Sequence, residues 1–113
     1  MNEVNIDLDA TLKPLKATRR KLRNIDDEEL DKMEPASQND WAKSLHTVSV
    51  AITRLETAKL RVLSEKFTKR EPELREAAGL LEADLSQLQD AIQIIQVASE
   101  GLKVITNIIK LLK

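Results

Sequence analysis

Apolar residues recur along this chain in steps of three and four over three long stretches, a spacing that lines one face of an α-helix. The longest series is Leu74, Ala78, Leu81, Leu85, Leu88, Ile92, Ile95, Ser99, Leu102, Thr106 and Ile109. It keeps one heptad register and predicts a single helix over about 72–112. A second stripe, Trp41, Leu45, Val48, Ile52 and Leu55, drifts to Leu63 and Phe67 in steps of four and predicts a helix over about 38–69. The drift implies local straightening, not one uninterrupted supercoil. Leu8, Leu12, Leu15, Leu22 and Ile25, with Arg19 at one seam position, predict a first helix over about 12–33.

Punctuation between the stripes sets the expected ends. Pro14 fits the first turn of a helix, where a missing N–H costs nothing. A second start signal lies at Ile25-Asp26-Asp27-Glu28-Glu29-Leu30. There Asp26 and Glu29 have capping-box spacing, and Ile25 and Leu30 can close a hydrophobic staple. A continuous first helix competes with a break near Asn24, and the continuous form is the expectation. Pro35 stops that helix, with Ser37 or Asn39 capping the next. Lys66, Lys69 and Arg70 suit the C-terminal turn of the second helix, and Glu71-Pro72-Glu73 reads as the start of the third. Val4, Ile6 and Leu8 alternate with polar residues, but a lone strand has no partner, so an extended arm or a helical extension is expected.

Beyond Asp90 the polar positions shrink to Gln93, Gln96, Glu100, Lys103, Asn107 and Lys110, which fall on one line of the helix. A helix apolar over the rest of its circumference needs several neighbours. At ~1.5 Å per residue the three helices span roughly 33, 47 and 60 Å. Short connections make them antiparallel. The expected fold is therefore all-α and a single domain over 1–113: an antiparallel three-helix bundle with long coiled-coil-like helices. Its three-helix end, around 91–112, tapers to a two-helix hairpin around 57–88. The open seam of that hairpin nominates Leu60, Phe67, Leu74 and Leu80 as a partner or dimer surface.

Composition agrees with the helical pattern. The aromatics are only Trp41 and Phe67, glycines number 2 and prolines 3. Strong helix formers dominate, where sheets need aromatic and β-branched residues with frequent turns. A net charge of −1 provides no global field toward nucleic acid or anionic lipid. With 0 cysteines, disulfides and thiolate chemistry are excluded. The opening MNEVNIDLDA has neither a basic region nor an apolar run, so no secretory signal is expected and a cytoplasmic location is.

Candidate chemistry is sparse. His46 is the only histidine, so neither a converging metal site nor a histidine-based triad can be assembled. The acidic run Asp26, Asp27, Glu28, Glu29 and Asp31 lacks the glycine-bearing loop of a calcium site. No catalytic residue, metal or cofactor is expected, nor a small-molecule substrate. Residues 13–23 carry Lys13, Lys16, Arg19, Arg20, Lys21 and Arg23 without an acid among them. Of these, Lys13, Lys16, Arg20 and Arg23 share one helical face and form a candidate anion-binding stripe.

These features point to a non-enzymatic protein–protein interaction module, with a protein partner or self-association as a homodimer. Size and fold alone suggest a small bacterial accessory protein of immunity or chaperone type. One alternative is a membrane-active helical hairpin using the apolar C-terminal helix. Glu100, Lys103 and Lys110 weigh against a spanning segment. A second alternative is a nucleic-acid-associated regulator using the basic stripe, against which stand the acidic run and the want of stacking aromatics.

Overall fold

A computed structural model describes residues 8–59 and 65–110, with side chains described for 8–58 and 69–110. The chain is all-α: the described residues form five helices and no strand. They are α1 (Leu8–Arg23), α2 (Asp27–Lys32), α3 (Pro35–Lys59), α4 (Glu65–Ser86) and α5 (Ala91–Lys110).

The expected continuous helix over 12–33 is two helices. The N–H of Asn24 closes on the Arg20 carbonyl at 2.9 Å and that of Ile25 on Leu22 at 3.4 Å. Asp26 then leaves helical geometry (φ −64°, ψ 138°), and its carboxylate accepts from the Glu28 N–H at 3.4 Å. Ile25 and Leu30 are both buried, so the cap and staple prevail over continuing one helix. The apolar series Leu8, Leu12, Leu15, Leu22 and Ile25 is buried throughout. Because α1 begins at Leu8, Pro14 lies inside it and not in its first turn; the Thr18 hydroxyl donates to the Pro14 carbonyl at 3.0 Å. Residues 2–7 of the alternating segment lie outside the described residues.

Pro35 opens α3 instead of merely ending its predecessor, so neither Ser37 nor Asn39 is the cap. The Glu34 carbonyl accepts the first N–H groups, from Ser37 at 3.0 Å and Gln38 at 3.1 Å. A proline at the first helical position surrenders an N–H that would have no partner there. The expected boundary at Glu71–Pro72 is absent, since α4 runs through it. Pro72 points to solvent while Glu71 and Leu74 are buried, and α1 packs across that stretch. This packing offsets the one ladder hydrogen bond that Pro72 removes.

The long predicted C-terminal helix is likewise divided. The N–H groups of Gln87 and Leu88 reach back only three residues, to Asp84 at 3.4 Å and Leu85 at 3.1 Å, which tightens and ends α4. Asp90 then starts α5: its carboxylate accepts from the Gln93 N–H at 3.1 Å and its carbonyl from Ile94 at 3.0 Å. The register slips across this turn. Leu74, Ala78, Leu81 and Leu85 are buried as expected, but α5 buries Ala91, Ile95, Ala98, Leu102, Ile105 and Ile109. Ile92 is exposed, and Ser99 and Thr106 sit at the rim. The expected polar line from Gln93 to Lys110 is exposed at every one of its positions.

Four long helices close a ring. α1 packs on α3 and α4, α5 packs on the same two, and α1 touches α5 only lightly across the core. Trp41 reaches Leu22 and Lys16 reaches Glu56, so α1 and α3 are antiparallel. Thr11 meets Glu71, and Thr18 and Lys21 share a hollow with Glu82 and Leu85, so α1 and α4 run parallel. Leu81 packs on Gly101 between antiparallel α4 and α5; a Cβ built on that glycine would lie 2.5 Å from Leu81 Cδ1. The turn at 87–90 thus supplies a fourth helix in place of the expected three-helix taper. Leu74, expected at an open seam, is 0% exposed in the core.

Candidate functional site

The basic stripe lies where the periodicity of α1 puts it. Leu12, Leu15 and Leu22 turn inward, which carries Lys13, Lys16, Arg20 and Arg23 outward to one exposed flank beside α3. Lys16 Nζ lies 3.9 Å from Glu56 Oε1, with the two side chains 44% and 53% exposed. At that exposure and distance the pair is weak and leaves the flank positive. Lys21 turns the other way, toward Glu82 and α4. The exposed acids Asp26, Asp27, Glu28, Glu29 and Asp31 follow at the same end of the bundle. Among the described residues no group of three or more His, Asp or Glu side chains is placed to hold a metal ion.

Of the expected apolar contact set, Leu74 and Leu80 do not share a surface. Leu74 is internal and Leu80 is 60% exposed on the outside of α4. Leu60 and the side chain of Phe67 lie outside the described residues. Val104, 53% exposed, stands one turn beyond Gly101 on α5. By helical geometry it and Leu80 flank the outer side of the Leu81–Gly101 crossing.

A groove missed by the sequence reading lies between α3 and α5. It has a volume of about 420 Å³ and is lined by Lys43, Ser44, Thr47, Ser99, Leu102, Lys103, Thr106, Asn107 and Lys110. The register slip in α5 moves Ser99 and Thr106 from the seam to this rim. A hydroxyl followed four residues later by a lysine occurs twice, as Ser99/Lys103 and Thr106/Lys110. That repeat was the available signal, but its opposite wall, Lys43 to Thr47, comes from a different helix.

Comparison of the chain with protein-family models, curated proteins and solved structures returned no match. No helix among the described residues is long and apolar enough to cross a membrane.

Proposed function

We propose that the chain is a non-enzymatic protein–protein interaction module whose contact surface is the basic flank of α1, suited to an acidic partner surface. The observation carrying this is the exposure of Lys13, Lys16, Arg20 and Arg23 on one flank, where the one ion pair among the described residues, that of Lys16 with Glu56, is weak. Clustered cations steer an acidic partner and raise its association rate, an effect that salt screens. Nucleic acid is less well suited, because the described residues offer no fully exposed Trp or Phe ring on which a base could stack. A lipid-bound form would have to withdraw Ile94, Ile95, Leu102 and Ile105 from the core, at a cost of about 1.5–3 kcal/mol for each side chain.

Sedimentation equilibrium of the full chain with a Glu-rich helical peptide tests the proposal. A complex is expected at low salt that Arg20→Glu with Arg23→Glu abolishes; equal binding by the reversed variant would overturn it. Self-association is a second form of the same proposal, favoured by the exposure of both the α1 cations and the α2 acids on one chain. The run without peptide measures it, and a salt-sensitive dimer is its expected signature.

A further inference from the structure

We infer that the groove between α3 and α5 is a binding site for a small, multiply charged oxyanion of the phosphate class. This site is independent of the α1 flank. Lys43 approaches from α3, and Lys103 and Lys110 stand on one side of α5, separated by two turns. None of the three has an ion-pair partner among the described residues. Among the described residues no carboxylate lines the groove, whereas two other hollows mix signs: Glu29 and Asp90 with Lys32 in one, Glu82 with Lys21 in the other. Gathering cations without a counter-charge is unfavourable in the empty protein and is relieved by an anion.

The second observation is Ser44. It lines the groove and makes no side-chain hydrogen bond among the described residues, and because no buried side-chain oxygen or nitrogen there lacks a partner, its hydroxyl is open to the groove's solvent. A ligand oxygen at this wall would take the place of solvent on that hydroxyl. Thr47, Ser99, Thr106 and Asn107 add neutral donors and acceptors around the lysines. About 420 Å³ is within the range of small-molecule sites. Leu102 is the apolar part of the lining and no aromatic ring is present, so the ligand is recognised by its charged oxygens and hydroxyls, not by base stacking.

The test is a titration of the ¹⁵N-labelled full chain with inorganic pyrophosphate and, separately, inorganic phosphate. Saturable amide shifts are expected in residues 43–47 and 99–110, with pyrophosphate the tighter probe. Losing charge-assisted hydrogen bonds, Lys103→Gln with Lys110→Gln should weaken pyrophosphate about ten-fold or more. Ser44→Ala should weaken it by a smaller factor with the lysines intact. Equal affinity for the two probes, lost in the double variant, keeps the site and assigns it to a single phosphate group. No saturable shifts in the groove, shifts centred on residues 13–23, or undiminished binding by a folded double variant would each overturn the proposal.

Discussion

The indole N–H of Trp41 donates to the backbone carbonyl of Leu22 at 2.9 Å, so a side chain from α3 closes the C-terminal end of α1. Gln38, one turn earlier, does the same for α2, its amide nitrogen lying 2.7 Å from the Leu30 carbonyl. The last carbonyls of a helix lack intrahelical donors. Here the first turns of the next long helix provide them, and this ties the α1–α2–α3 junction together.

Trp41→Phe keeps the ring packing and removes the donor. The Leu22 carbonyl then retains only the Ile25 N–H at 3.4 Å. Urea unfolding followed by circular dichroism should show a loss of about 1 kcal/mol, the usual net value of one hydrogen bond. An unchanged midpoint would mean that the bond contributes nothing.

The two glycines should respond in opposite directions. A Cβ at Gly79 meets nothing within 4 Å, so Gly79→Ala gains helix propensity and should stabilise by up to about 1 kcal/mol. At Gly101 the new methyl would drive into Leu81, 2.5 Å away. Overpacking typically costs about 1–3 kcal/mol, which equals or exceeds that gain. Thermal melts should rank Gly79→Ala above wild type and Gly101→Ala at or below it, with Leu81→Ala relieving the clash in the double variant.

Glu71 is a carboxylate 4% exposed, and the Thr11 hydroxyl donates to its Oε1 at 3.1 Å. The nearer guanidinium nitrogen of Arg75 stands 3.9 Å from the same oxygen, too far for a hydrogen bond. Thr11→Val preserves shape and strips the carboxylate of that donor, so stability should fall by about 1–3 kcal/mol. Adding Glu71→Leu removes the stranded group and should recover most of the loss. Additive losses in this double-mutant cycle would show that the two side chains are not coupled.

Asp90→Ala deletes the cap that separates α5 from α4. A loss of about 1 kcal/mol is expected in chemical denaturation, in line with other N-cap removals. Faster amide exchange should appear at Gln93, whose N–H the Asp90 carboxylate accepts.

Much of the fold was legible because burial follows period. Leu8 through Ile25 and the polar line from Gln93 to Lys110 both lie where spacing puts them. Pro72 was misread because a proline that opens a helix and one that faces solvent inside it look alike in sequence. The long C-terminal helix was misread for a subtler reason. The expected register and the observed one share Ile95, Leu102 and Ile109 and differ at Ile92, Ser99 and Thr106 against Ala91, Ala98 and Ile105. A slip of one residue at those alternate positions, concealed by the turn at 87–90, decides whether two hydroxyls belong to a seam or to a groove. The α1 stripe was readable because it is local to one helix; the lysine groove was not, because it needs two helices that only the fold brings together.

The most direct measurement of the proposed contact surface is an amide-shift map of the ¹⁵N-labelled chain titrated with a Glu-rich helical peptide at low and high salt. The shifts should centre on Lys13, Lys16, Arg20 and Arg23 and fade as salt screens the charges. A map centred on Leu80 and Val104, or shifts indifferent to salt, would contradict it.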